Sequence, residues 1–405
     1  MIQRMKDKIG KYEIIFFLLW FIIVAPKPLQ LLLFIILIPF LLNRKSLKLD
    51  LISYLLSCYI IIYGLSVIYN AIKSEHDFTR ILASLNNLLI WIVGLLFYLI
   101  YKHNKVNLMK ITKISFYNFV VLFFLYLLSI FMYNIMKVPG FSLLNKALFT
   151  LTWFDNSNSM RFTGLMEYAN LIVMFYFLFY LFFLKYLHTC KLKVIYKIVL
   201  LILSGVTFLA TLSRSGIILL GLALLITFIV YYVNKFKNNL FAALSLFILS
   251  LILFLSFYTQ VPHYFVTNIN ELLNSRDGST ETRALILSDS FNIANDNSPL
   301  IGMGIKAISP YDGLPYGSHS TYVGAFYKTG YIGLILVFLV VICSNLKMVF
   351  QFSNASMLKK SLTIFSILMT SLFFVEDIDG ANWLIVFYFI LNGIIQNRKN
   401  WRESL

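Results

Sequence analysis

The chain has 405 residues, of which 60% are hydrophobic and only 13% charged, with a formal net charge of +17. Soluble domains carry about 25% charged residues, so composition excludes a soluble globular protein. The apolar runs have helix length, roughly 20 residues. They are not short alternating strands, which excludes a transmembrane barrel and predicts an all-α integral membrane bundle.

In chain order, membrane helices are predicted near 12–25, 28–43, 50–71, 81–101, 111–136, 165–186, 194–212, 215–233, 239–258, 320–343, 360–375 and 380–396, about twelve in all. The first stretch, MIQRMKDKIGKYEIIFFLLWFIIVAPKP, has a basic start and a short apolar run but no small-residue cleavage site. It reads as a retained first helix, forming a shallow hairpin with the second. Lys and Arg concentrate before residue 12, at 44–48, 102–113, 185–197, 235–237 and 347–360, and after 397. That bias puts both termini on the cytoplasmic side and accounts for most of the positive charge without nucleic acid. Cys58, Cys190 and Cys343 lie far apart, with neither a disulfide framework nor metal spacing.

The expected organisation has three parts. Helices one to nine, with an outer segment at 137–164, fill 1–258. A large extracytoplasmic loop fills 259–319, and helices ten to twelve with a cytoplasmic tail fill 320–405. A long loop in a compact protein is usually functional or disordered. This one contains STETRALILSDSFNIAND, which reads as a short helix capped by Ser279 with Glu281 in its first turn. PLIGMGIKA follows as a Gly-rich turn, so the loop is expected to be ordered. No internal repeat is visible.

Several cations fall on the outer side of this topology: Arg161, Arg214, Arg276, Arg283, His319 and, about two turns deeper, Lys328. The positive-inside bias disfavours outer arginines, so topology does not explain them. Convergent guanidinium groups suit a pyrophosphate, which they grip in bidentate fashion. Arg214 stands in a tight turn where the next helix's N-terminus adds its dipole; snorkelling to headgroups is its plain alternative. Arg283 is placed in the first turn of its helix, where a cation is mildly unfavourable, so helix stability does not ask for it. Lys328 reads as a snorkelling or paired lysine. A neutral His319 imidazole at this mouth can take a proton from an attacking hydroxyl, the alternative being a structural histidine. EDIDGAN, 376–382, places Glu376, Asp377 and Asp379 in the last outer loop. Asp-x-Asp can hold a divalent metal on a pyrophosphate, but so short a match is weak. No metal is expected, and pairing of the acids with the arginines is the alternative.

Four ordered segments resemble the O-antigen ligase/polymerase family of bacterial membrane glycosyltransferases. MRFTGLMEYANLIVMF is similar to its Arg-x-x-Gly segment with Asn170 downstream, and TLSRSGIILL to its Ser-Arg-x-Gly turn. TRALILSDSFNIANDNSPLIGMGIKA resembles the loop helix followed by Pro-Leu-x-Gly-x-Gly. HSTYVGAFYKTGYIGLILVFL resembles the His-Asn-x-Tyr element leading into Gly-x-x-Gly-Leu, with Ser320 in place of the usual Asn. The matches cover roughly 161–340.

The resemblance implies a GT-C-like membrane glycosyltransferase fold. It implies that Arg214 and Arg283 bind the pyrophosphate of an undecaprenyl-linked oligosaccharide, with Arg161 assisting through its motif match; Arg276, from the outer cations, is a further pyrophosphate-binding candidate. His319 is then catalytic or beside the catalytic group, and Tyr322, Lys328, Glu167 and Asn170 are further candidates. The expected activity is inverting, cofactor-free and metal-independent glycosyl transfer at the outer face of the bacterial inner membrane. Polymerisation onto another lipid-linked glycan for O-antigen, capsule or exopolysaccharide is preferred, alongside a flippase and a chain-length regulator as partners. Ligase-type transfer to a final acceptor shares these motifs. A polysaccharide flippase or transporter is the alternative from another class, against which the lack of repeats and the one-sided polar residues weigh.

Overall fold

The computed structural model describes residues 10–43, 48–73, 76–154, 157–235, 277–310, 313, 315–353 and 355–401. The helix expected at 239–258, the first part of the large loop and Arg276 lie outside the described residues.

The first predicted helix is two short pieces, α1 (Ile14–Phe17) and α2 (Leu19–Val24). Pro26 then turns the chain, and Pro28, pre-set for a helix start, opens α3 (Lys27–Leu41). α4 (Leu51–Lys73), α5 (Phe78–His103) and α6 (Leu108–Ile130) follow. Asn107 caps α6 by accepting the Lys110 N–H at 3.1 Å. α7 (Asn170–Thr189), α8 (Val194–Leu209) and α9 (Arg214–Lys235) precede the undescribed stretch. Beyond it come α10 (Asp277–Asn297), α11 (Thr321–Phe350), α12 (Met357–Leu372) and α13 (Asn382–Gln396). Among the described residues, six helices are long and apolar enough to cross a membrane: α4, α5, α6 with its π-helical extension to Ile135, α7, α9 and α11. α3, α8 and α13 are shorter apolar helices. The chain is thus a helical, multi-pass membrane protein.

The all-α expectation is corrected in the outer segment 137–164. It folds as a three-stranded antiparallel sheet of β1 (Phe141–Leu143), β2 (Lys146–Phe154) and β3 (Ser157–Phe162) in the order β1-β2-β3. Leu144 and Asn145 join the first two strands with φ of 51° and 62°. Positive φ at both central residues is the signature of a type I′ hairpin turn, whose twist matches the strands. The sheet carries Arg161, paired in register with Thr150.

α13 is buried along its whole length. It lies close against α5 because glycines face the contact. A Cβ at Gly94 would meet the Phe389 ring at 2.7 Å, and one at Gly393 would meet the Tyr98 carbonyl oxygen at 2.8 Å. Small residues permit such close helix pairs, which dispersion then holds. Outward faces carry exposed apolar side chains such as Phe21, Ile72, Val194 and Phe350, as a lipid-facing surface requires.

α11 is broken at Gly330, where φ is 61° and ψ −164°. Into this break the PLIGMG segment inserts its backbone. The N–H groups of Met303 and Gly304 donate to the carbonyls of Tyr327 and Lys328 at 2.7 and 3.0 Å, and the Tyr331 N–H donates to Pro299 O at 2.8 Å. A Cβ at Gly302 would lie 2.4 Å from the Thr329 nitrogen, so only glycine allows the approach. The break leaves backbone groups that the inserted loop satisfies, as a buried interruption demands. It also fixes the loop that leads to His319.

Candidate active site

A cavity of about 730 Å³ opens where α3 and α5 begin and where β3, α10, the 299–320 loop and the 376–380 loop meet. That volume falls in the range of small-molecule sites, roughly 300–1,000 Å³. Arg161, Arg283, Glu167, Asn170 and His319 line it, as do Asp377 and Asp379. Six separate stretches of chain therefore bring their polar residues to one place.

Arg161 is anchored from both sides. Its Nε donates to Thr211 O and its terminal nitrogen to Asn170 Oδ1, each at 2.9 Å. The Asn170 amide donates onward to Glu376, whose Oε1 also lies 3.9 Å from the Arg283 guanidinium. A strand, a helix start, a loop and a second helix are joined in one chain of charged and amide groups. Burial pushes the Glu376 carboxyl up to about 7, although Arg283, Asn170 and Arg161 pull it back.

Arg283 sits in the second turn of α10, because the helix already runs from Asp277. The first-turn placement expected from a Ser279 cap is corrected. Arg214 is the first residue of α9 and half-buried, but it is not among the cavity-lining side chains. It adjoins the wall through its turn: Arg161 Nε holds Thr211 O, and the Phe162 N–H donates to Ala210 O at 2.9 Å.

His319 is held in a left-handed conformation, φ 64°, that a non-glycine residue adopts only at some cost. Its neighbours are fixed. The Gly317 N–H donates to Ser290 Oγ at 2.7 Å, and the Gly317 carbonyl accepts from Lys306 Nζ at 3.0 Å. Ser320 caps α11, its hydroxyl accepting the Val323 N–H at 3.3 Å. The serine that departs from the family pattern thus takes a helix-capping role.

The acidic pair is matched by lysines rather than arginines. Lys306 Nζ donates to Asp377 Oδ2 at 2.8 Å and lies 3.8 Å from Asp379 Oδ1. Lys328 pairs with Asp379, which also accepts the Trp91 indole N–H at 3.1 Å. Burial and the adjacent Asp379 charge push Asp377 up. Although burial opposes it, Lys328 and Lys306 hold Asp379 far below the usual carboxylate range. Among the described residues, no group of three His, Cys, Asp or Glu side chains is arranged to hold a metal ion.

Two candidates point elsewhere. Tyr322 is buried between Phe338 and Phe374, with ring centroids at 4.7 and 4.6 Å. Lys328 lies fully buried beneath the cavity, 5.4 Å from the centre of the Tyr63 ring. Glu167 does line the cavity but is engaged: it accepts Lys146 Nζ at 2.9 Å and the Trp383 indole at 3.3 Å. The sequence reading missed Lys27, Arg80, Asn86, Asn87 and Lys306 on the cavity wall. Arg80 and Lys306 carried a usable signal, because both are cations in segments that the expected topology puts outside, where the positive-inside bias disfavours them.

Taken together, the wall holds five fixed cations facing four carboxylates, beside one imidazole. Such a site has, in its array of cations, the hydrogen-bond donors to hold an anion. It also offers a proton acceptor on a rigid turn.

The described residues thus place several membrane-length helices around a charged cavity. The family model described as O-antigen ligase matches residues 199–338, so the resemblance read from the motifs holds over that stretch. Arg214, Arg283 and His319 lie inside the matched stretch, while Arg161 precedes it and the acidic loop follows it. The chain has no match among curated proteins.

Proposed function

We propose that this protein polymerises a bacterial surface polysaccharide, transferring an oligosaccharide from undecaprenyl pyrophosphate to the end of another lipid-linked glycan. The reaction takes place at the outer face of the cytoplasmic membrane. One observation carries the reading: Arg161, Arg283 and His319, from three distant parts of the chain, line a single cavity. Arg283 and Arg161 hold the pyrophosphate and stabilise the charge that grows on it as the glycosidic bond breaks. Arg214 adds its charge at the start of α9, and Arg276 is a further cation of this group. The acceptor hydroxyl attacks the anomeric carbon from the opposite face, with inversion, while His319 takes the hydroxyl proton. Pairing of Asp377 and Asp379 with lysines supports a metal-independent reaction. The substrate arrives activated, so no cofactor is called for.

A second reading, ligase-type transfer to a final acceptor, is favoured by the description of the matched family. Reconstitution with a synthetic undecaprenyl-pyrophosphate oligosaccharide separates the two. A ladder of products marks a polymerase, and a single transfer to a different acceptor marks a ligase. Movement across the bilayer without bond formation marks a transporter. The proposed setting is the inner membrane with both termini cytoplasmic, alongside a flippase and a chain-length regulator.

A further inference from the structure

One wall of the cavity is unused by pyrophosphate binding and proton transfer. It is the N-terminal part of α5, where Thr79, Ala83 and Asn87 fall on one helical stripe at i, i+4 and i+8 and all line the cavity. α5 is otherwise apolar enough to span a membrane. Polar side chains on such a helix are costly unless they face a cavity with something to bind.

Two other polar groups of this wall, Arg80 and Asn86, are committed to building it. Arg80 Nε donates to Lys306 O at 2.8 Å, tying α5 to the loop beneath His319. Asn86 donates its amide to Asn382 Oδ1 at 3.3 Å, and Asn382 donates to Lys27 O at 2.8 Å. The side chains of Thr79 and Asn87, like the buried Ser84 hydroxyl, make no hydrogen bond among the described residues. They sit beside the apolar Pro28, Leu82 and Ala83.

The chemistry of the two walls differs. The Arg161–Arg283–Lys306 side is charged and suits an anion. The α5 stripe is neutral and carries a hydroxyl and a carboxamide next to aliphatic surface. A carboxamide offers a donor and an acceptor side by side, matching neighbouring hydroxyls of a sugar ring, while aliphatic surface covers the ring's C–H face.

We propose that Thr79 and Asn87 form the subsite for the terminal sugar of the acceptor glycan. This inference rests on the glycosyl-transfer reading above and adds where the second substrate binds. In the step they serve, the acceptor hydroxyl oxygen bonds to the anomeric carbon of the donor. The bond from that carbon to the pyrophosphate oxygen breaks, its electron pair leaving with undecaprenyl pyrophosphate, and the hydroxyl proton passes to His319.

The test uses the full-length protein in proteoliposomes with a synthetic undecaprenyl-pyrophosphate oligosaccharide as donor and the lipid-free oligosaccharide as the separately varied acceptor. Three quantities are read: donor affinity, donor hydrolysis by water, and transfer rate against acceptor concentration. Asn87→Ala and Thr79→Val are expected to raise the acceptor KM about five- to tenfold, the worth of one or two net hydrogen bonds. Donor affinity and hydrolysis stay within about twofold, since nothing that touches the pyrophosphate changes. An unchanged acceptor KM in both variants overturns the proposal. A wild-type protein that neither binds nor cleaves the donor overturns the wider reading and this one with it. Should the variants fail to insert, saturation-transfer NMR on wild type with the lipid-free oligosaccharide decides. Binding that survives excess pyrophosphate supports the neutral wall, and complete displacement by pyrophosphate overturns it.

Discussion

Arg283 lies 3.9 Å from Glu376, guanidinium to Oε1, and the same carboxylate accepts the amide of Asn170, whose carbonyl oxygen in turn accepts Arg161 at 2.9 Å. Arg283 directly, and Arg161 through Asn170, therefore share one acid. Under the proposed function, a pyrophosphate entering the cavity competes with Glu376 for them.

Glu376→Gln keeps the Asn170 contact but removes the competing charge. It is expected to tighten donor binding about five- to tenfold, the worth of roughly one charge-assisted contact near solvent. Equilibrium binding of a non-hydrolysable donor analogue measures it, and weaker binding in the variant contradicts the exchange.

The same carboxyl sets a pH dependence. Its pKa is raised to about 7, so below that pH it is neutral and Arg283 is free. Donor affinity should be greatest below pH 7 and fall as pH rises through it, and the fall should vanish in Glu376→Gln. Binding rather than turnover is the readout, because turnover also contains the proton-transfer step. For stability the sign is the same: the cost of an ionised, buried Glu376 is felt above about pH 7 and disappears below the ordinary carboxylate range. The variant should gain Tm at pH 8 and not at pH 4.

Arg283→Ala and Arg161→Ala should each cut polymer formation about 100-fold or more, the typical loss on deleting one preorganised charge stabiliser. His319→Ala should lower turnover about 10²- to 10⁴-fold while donor affinity stays within about twofold. Initial rates on reconstituted protein distinguish the two patterns. A His319 variant with normal turnover removes the imidazole from the mechanism.

The buried Lys328–Asp379 pair predicts a stability effect. Lys328→Met strands a buried carboxylate, at about 3–5 kcal/mol. Lys328→Met combined with Asp379→Asn should recover part of that loss. Thermal unfolding in detergent measures both, and equal Tm values for the single and double variants would contradict the pairing.

Much of the helical frame was legible because lipid imposes a simple code: long apolar runs and a cationic bias at one end of each. The same code hides what lies between runs. The sheet around Lys146–Phe162 escaped notice because its strands lie in one outer segment, where the apolar-run criterion is silent. FTLTWF does alternate threonine with large apolar residues, a strand signal. Arg161, Arg283 and His319 stood out as cations where topology disfavours them. Lys306 did not, although the same argument applied, because the Gly-rich segment before it drew the attention as a turn. The pairing of Asp377 and Asp379 with Lys306 and Lys328 depends on the PLIGMG backbone entering the Gly330 break. Contacts between segments so far apart leave no local periodicity to read. Thr79 and Asn87 were masked by the apolar run that they begin.

The central claim, that arginines from separate stretches converge on one lipid-linked pyrophosphate beside His319, is tested most directly by a structure of the protein with a non-hydrolysable undecaprenyl-pyrophosphate glycan. The account predicts the pyrophosphate in contact with Arg161 and Arg283, and the anomeric carbon facing the His319 imidazole. A pyrophosphate bound elsewhere, with the Arg283–Glu376 contact intact, would contradict it.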